Sequence, residues 1–521
     1  MNNIIEIFDS TLRDGAQGEG ISFSVQDKLS IVQALDKLGV KYIEAGNPGS
    51  NPKDLEFFEK AGKLNLKNSK LVAFGSTRRK NIKVEDDTNV SALLTANTEA
   101  VAIFGKCWYV HAKEIINTTA EENFAMIYDT CKFLTQKGKT VFFDAEHFFD
   151  GYKDDAEFAM KALKSAYDGG AKCLVLCDTN GACFPNEIFE ITSAVEKQFG
   201  GCVGIHVHND GGMAVANSIM AVNAGAIQVQ GTFLGYGERC GNANLSTIIP
   251  NLQLKSGKIC IPEKNINLLT ATARKIAEVS NVSLKRNEPF VGISAFAHKA
   301  GMHADGVLKL SSSFEHIDPK TVGNERRFLM SEISGRTAVL EKIKAINPHI
   351  TKDSPETAKI VDALKSLEQQ GYQFEGADAS FELLIRKHLG AYKPFFELLN
   401  YKIVTGRPCE PDCSATATVK IKVGDKTQLM CAEGNGPINA IDKSLRFALE
   451  VFYPALKNVH LIDYKVRVMD SKQTTGATVR VLITSTDGEK IWSTVGVSKD
   501  VVEASKMALE ESIIYKLLQI T

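Results

Sequence analysis

Between residues 4 and 232 the chain changes its hydrophobic period again and again. Short β-rich runs at 4–9, 42–46, 70–75, 100–105, 140–146, 173–178, 203–208 and 226–232 alternate with amphipathic helical stretches. Parallel strands cannot be joined by a tight turn, so each pair needs a crossover that returns the chain to the same end of the sheet. Eight such runs within about 230 residues predict a TIM (β/α)8 barrel. An open doubly wound sheet is the structural alternative, but no G-x-G-x-x-G follows the first run. The clearest helix is 24–38. Ser24 can cap it, Ile31, Leu35 and Leu38 recur at helical spacing, and Gly39 stops it.

A chain of 521 residues exceeds one ordinary core. The expected domains are a catalytic barrel over 1–258, helical linker subdomains over 259–390 and a C-terminal α+β regulatory and dimerisation domain over 391–521. The last carries an internal repeat. Asn400-Tyr401-Lys402-Ile403 returns as Asp463-Tyr464-Lys465-Val466, and Ala417-Thr418-Val419-Lys420-Ile421 as Ala477-Thr478-Val479-Arg480-Val481. Each half predicts strand, strand, strand, helix, with helices at 438–456 and 501–518. Two such units can enclose a small molecule, or serve only to pair subunits.

Charge and composition exclude several classes. With 61 basic against 62 acidic side chains there is no footprint for nucleic acid or an anionic membrane. No apolar run approaches the roughly 20 residues that span a bilayer. Met1 to Glu6 reads as the first strand rather than a targeting segment. The eleven cysteines form no C-x-x-C pair, so a reducing cytoplasm is expected. Cys173 and Cys177 read as small hydrophobes inside a strand, and Cys409 and Cys413 as a weak metal candidate.

A TIM barrel places its chemistry at the C-terminal ends of the strands. The first run ends in Asp9-Ser10-Thr11-Leu12-Arg13-Asp14-Gly15. There Arg13 and Asp14 are either a loop ion pair or an oxygen-charge stabiliser beside a hard metal ligand. The seventh run holds His206-Val207-His208-Asn209-Asp210. Positions i and i+2 share a strand face, so both imidazoles enter the barrel together, a metal-ligand pattern. After the eighth comes Gly237-Glu238-Arg239-Cys240-Gly241-Asn242, whose glycines either make a turn or admit a ligand, with Asn242 completing the metal shell. Glu146 and Thr179, ending runs five and six, can touch a substrate or merely satisfy rim backbone. Phe148, Phe149 and Tyr152 read as packing rather than pocket wall. This donor set leaves positions open on an ion, suited to chelating a 2-oxo acid. A zinc hydrolase barrel competes, but such barrels commonly carry His-x-His on the first strand.

In combination and order these motifs resemble the DRE-TIM metallolyase superfamily, especially its acetyl-CoA-dependent branch of isopropylmalate, homocitrate and citramalate synthases. The likeness continues through Ala295-Phe296-Ala297-His298-Lys299-Ala300-Gly301-Met302-His303-Ala304-Asp305-Gly306 and into the repeated tail. It implies a divalent metal ion (Mg or Mn, with Zn the other option) held by Asp14, His206, His208 and Asn242. It implies that Arg13 stabilises the oxyanion of the 2-oxo acid, that Glu146 and Thr179 position that acid, with Glu146 also catalytic, and that His303, supported by His298, deprotonates the acetyl methyl. Residues 47–54 and 143–152 look like the citramalate subgroup. The substrates expected are therefore acetyl-CoA and pyruvate, with 2-oxoisovalerate the alternative acceptor. The tail implies a homodimer with isoleucine as effector. One departure stands out: Phe314 occupies a position where the family usually has tyrosine.

Overall fold

The computed structural model describes residues 3–298, 306–328, 336–351, 353–374, 376–406, 414–469 and 477–520. They fall into two compact units, Met1–Phe296 with Ile317–Arg326, and Ala297–His316 with Arg327–Thr521.

In the first unit, strands β1 (Glu6–Asp9), β2 (Tyr42–Glu44), β3 (Lys70–Ser76), β4 (Ala100–Lys106), β5 (Thr140–Glu146), β6 (Cys173–Asp178), β7 (Val203–Val207) and β8 (Gln228–Gly231) form a closed barrel in chain order. All neighbours are parallel, and β1 closes the ring on β8 with Asp9 opposite Gly231. The TIM-barrel expectation holds, and so does the alternation that makes it work. Phe8, Tyr42, Val72, Phe142 and Val175 fill the interior. Their chain neighbours, such as Ile7, Ile43, Ala73, Phe143 and Leu174, pack outward in the core shared with the helices. Phe142 meets Phe8 and Tyr42 edge-on, with centroids 5.4 and 4.8 Å apart.

The helix Val25–Leu38 begins at a capping box in which Ser24 and Asp27 satisfy each other's backbone N–H. It ends where Gly39 turns left-handed at φ 100°. Phe148 and Phe149 are wholly buried in the outer core, as packing residues should be. Cys173 and Cys177 are buried too, and burial pushes both thiols far up, so they are inert at neutral pH. Cys409 and Cys413 lie outside the described residues.

In the second unit, β9 (Ala297–His298) pairs in parallel with β10 (Arg327–Phe328). The tail repeat folds as two three-stranded antiparallel sheets, each followed by a helix. The first is β11 (Glu397–Thr405), β12 (Ala415–Val423) and β13 (Lys426–Gly434) with helix Pro437–Glu450; the second is β14 (His460–Val468), β15 (Val479–Thr486) and β16 (Ile491–Ser498) with helix Val501–Ile520. The repeat extends to its irregularities. Register slips between Leu398 and Asn400 in one copy, and between Leu461 and Asp463 in the other, just before the repeated Tyr-Lys. Alternate residues Ala417, Val419 and Ile421, and Val481 and Ile483, are buried toward the helices. The first helix stops at Glu450 rather than 456, because Pro454 disfavours helical geometry at Tyr453 and opens a separate short turn, Pro454–Asn458. Among the described residues no helix is long and apolar enough to cross a membrane.

Candidate active site

Strand β7 and the loops that leave β1, β7 and β8 at the C-terminal end of the barrel bring one carboxylate, two imidazoles and an amide together. Asp14 follows β1 by a tight turn in which its N–H donates to Ser10 Oγ. His206 lies in β7, and His208, just beyond it, bridges to Asn242. His206 Nε2 is 3.5 Å and His208 Nε2 3.9 Å from the same atom, Asp14 Oδ2. Asn242 donates from Nδ2 to Asp14 Oδ1 at 3.0 Å and to the Tyr236 carbonyl at 3.0 Å.

All four side chains are buried. Burial alone would raise the Asp14 carboxyl, but Arg13, then His206 and His208, outweigh it and hold it at about 2. Burial pushes His206 down to about 3 and also lowers His208, so both rings are neutral. An ionised carboxylate facing two neutral imidazoles, at separations too long for hydrogen bonds, is a ligand arrangement rather than an ion-pair network. Asp14, His206 and His208 present ligand atoms within 4.8 Å of one another. Asn242 Oδ1, buried beside them, has no hydrogen-bond partner. The residues therefore fit a divalent cation, and the mixed oxygen and nitrogen donors suit Mg, Mn or Zn.

The glycines explain the loop. A Cβ on Gly237 would sit 2.2 Å from Asn242 Nδ2, and one on Gly241 1.9 Å from the Gly235 carbonyl oxygen. Both have positive φ, so only glycine lets the chain fold back onto Asn242 here. Arg239 ties this loop to its neighbours, with Nε to Asp210 Oδ1 at 2.8 Å and Nη2 to the Thr179 carbonyl at 2.7 Å.

Arg13 sits at the same mouth. Its Nε donates to Glu44 Oε2 at 2.7 Å, its Nη1 approaches Asp14 Oδ2 at 3.3 Å, and its guanidinium lies 3.8 Å over the Phe74 ring. The sequence reading passed over Glu44, although its place at the end of β2 satisfies the same positional rule that selected Asp14. Lys106, at the end of β4, was passed over likewise; it forms an ion pair with Glu146, its register partner on β5. Thr179 follows β6 and accepts the His147 N–H at Oγ1, 2.9 Å. His147 is itself in the left-handed region at φ 53°. His298 lies in the second unit, where its Nε2 is 3.0 Å from the buried Glu315 Oε1. Phe314, also there, covers Gly306, whose Cβ would meet the ring at 2.3 Å. His303 lies outside the described residues.

A parallel barrel with this cluster at its mouth defines a metal-dependent barrel enzyme of the HMGL-like family, which matches residues 4–281. The homocitrate synthase post-HMGL domain-like family matches 290–372, and the LeuA allosteric (dimerisation) domain 375–517. Among curated relatives, an (R)-citramalate synthase of Aquifex aeolicus is 51% identical, covering 99% of this chain and 98% of the relative. One from Geobacter sulfurreducens is 46% identical, again over 99% and 98%. A 2-isopropylmalate synthase of Methanocaldococcus jannaschii stands at 30%, over 98% and 94%. The chain belongs to the (R)-citramalate synthase family of acyl-transferring condensing enzymes.

Proposed function

We propose that this chain condenses the acetyl group of acetyl-CoA with pyruvate and hydrolyses the thioester, giving (R)-citramalate and CoA. Its place in metabolism would be isoleucine biosynthesis by way of 2-oxobutanoate. The observation that carries this reading is full-length likeness to (R)-citramalate synthases well above that to the 2-isopropylmalate synthases. The converging Asp14, His206 and His208 support it.

Asp14, His206, His208 and the Asn242 carbonyl would hold a divalent ion, with Mg or Mn favoured by the two oxygen donors. When bound, the ion would polarise the ketone and carboxylate of the 2-oxo acid. The chain's own groups do the rest. Arg13, clamped by Glu44 and braced on Phe74, presents N–H groups to the ketone oxygen as negative charge builds there. The Thr179 hydroxyl accepts from His147 and keeps its own proton to donate to the substrate. Glu146, held by Lys106, lines the same rim. His303 removes a proton from the acetyl methyl, and the C–H electron pair forms the new bond to the ketone carbon. The former ketone oxygen takes up a proton. Water then adds to the thioester carbonyl, the C–S bond breaks and CoA leaves as the thiol.

The tail would pair two chains and bind isoleucine. The deciding experiment is thiol release from acetyl-CoA by purified protein offered a panel of 2-oxo acids. Pyruvate is expected to give the highest kcat/KM; a preference for 2-oxoisovalerate overturns the substrate assignment.

A further inference from the structure

Two buried polar atoms on neighbouring strands of the barrel have no hydrogen-bond partner. One is Nδ1 of His206, the other Oε1 of Gln230. The residues are register partners on the adjacent parallel strands β7 and β8. Side chains of such partners point to one face, and the strands run about 4.8 Å apart, within reach of an amide. Both are buried, Gln230 completely. The other end of the Gln230 amide is already committed: Nε2 donates to Asp144 Oδ1 at 3.0 Å, across 86 residues of chain. Asp144 is itself buried on β5.

An amide has one donor end and one acceptor end. With Asp144 holding the donor, only the acceptor remains for the ring. A neutral imidazole carries its proton on one nitrogen, and the nitrogen facing a cation must be the bare one. His206 turns Nε2 toward Asp14, so its proton belongs on Nδ1. We infer that Gln230 is a positioning residue, whose Oε1 accepts from His206 Nδ1–H while Asp144 anchors its Nε2. That line, Asp144 to Gln230 to His206, sets the ring's tautomer and rotation so that the Nε2 lone pair points at the cation. It rests on the metal reading above and extends it to two residues outside the cluster of Asp14, His206 and His208. Outer partners of this kind commonly fix both the tautomer and the basicity of a ligating histidine.

The test uses full-length protein and Mn(II) alone, with free Mn(II) read by electron paramagnetic resonance and the fold by circular dichroism. Gln230→Leu keeps the bulk of the side chain and removes both hydrogen-bonding ends; it is expected to weaken Mn(II) binding by about 10–100-fold. Gln230→Glu combined with Asp144→Asn exchanges donor and acceptor between the two positions while leaving an oxygen for Nδ1–H, and is expected to restore binding to within a few-fold of wild type. A role in packing alone would not predict that rescue. Wild-type affinity in Gln230→Leu, or an exchange variant that binds as weakly as the leucine variant, overturns the inference. Should Gln230→Leu fail to fold, the exchange variant decides: retained affinity supports the line and lost affinity overturns it. Asp14→Asn is the control. If that variant binds Mn(II) as wild type does, the metal reading fails first.

Discussion

Arg13 is held by Glu44 at 2.7 Å, and Glu44 has no exposure to solvent. Burial raises the Glu44 carboxyl and Arg13 opposes it. Burial likewise works against the Arg13 charge, but Glu44 and Asp14 lift its pKa well above the usual arginine range. Burial wins at Glu44, whose carboxyl is raised overall, while the guanidinium keeps its charge and finds its compensation in Glu44 and Asp14. Its bond to Glu44 and its 3.3 Å contact with Asp14 hold the guanidinium beside the cluster of Asp14, His206 and His208.

Arg13→Lys is therefore expected to fail nearly as badly as Arg13→Ala, because a mobile ammonium cannot hold Glu44 and a developing oxyanion with one rigid fork. Loss of such a donor costs about 100-fold or more in kcat. Glu44→Gln should lower kcat less than either, while the KM for acetyl-CoA stays near wild type. Steady-state kinetics separates these outcomes; a lysine variant within a few-fold of wild type would make Arg13 a structural ion-pair partner.

His208→Ala and His206→Ala each remove one nitrogen from a three-residue cluster. Turnover should disappear with far-UV circular dichroism unchanged. Chelation of the wild type should do the same, reversed by added Mg or Mn. Activity that survives exhaustive chelation would falsify the metal reading.

Gly241→Ala places a methyl 1.9 Å from the Gly235 carbonyl, the same oxygen that accepts the Asn242 N–H at 3.1 Å. The loop must shift and carry Asn242 with it. The strain at a positive φ is on the order of 1 kcal/mol, and the contact with a backbone oxygen adds to it, so circular dichroism checks the fold first. The expected result is a folded protein with weakened Mn(II) affinity and reduced kcat. Normal affinity would remove Asn242 from the cation's surroundings.

Asp54 accepts Lys28 Nζ at 2.5 Å and the Asn47 N–H at 2.9 Å, and Lys28 also donates to the Ala45 carbonyl at 2.7 Å. This buried pair pins the loop after β2. Asp54→Ala leaves an uncompensated ammonium inside and should cost about 3 kcal/mol or more. A denaturant melt checks it, with Lys28→Met added to Asp54→Ala recovering part of the loss. A single variant as stable as wild type would show that water reaches Lys28.

Isoleucine should inhibit more strongly than leucine. A coupling of about 1–3 kcal/mol between effector and active site is enough for a clear shift in the inhibition curve. The natural cut lies before the helix Asp378–His388, since Ser380 Oγ of that helix accepts the Val495 N–H of β16 at 2.9 Å and so belongs with the tail. Inhibition curves for both amino acids on full-length and shortened protein give the answer. Unchanged potency after the cut places the effector elsewhere.

The sequence by itself determined the barrel, because eight changes of hydrophobic period are a local property and each strand lies within a few residues of where that period puts it. It also determined where Asp14, His206, His208 and Asn242 stand along their strands and loops, and the tail repeat down to its second helix. What joins these residues to one another was decided only in three dimensions. Asn242 meets Asp14 across 228 residues, and Gln230 meets Asp144 across 86. Lys106 faces Glu146 solely because β4 and β5 pair in that register. Periodicity tells which face a side chain takes, but strand order and register choose its neighbour there, and they come from closing the whole barrel around one packed interior. Glu44 and Lys106 stand at strand ends that the sequence already places, but their partners, like that of Gln230, are distant in the chain and came only with the closed barrel.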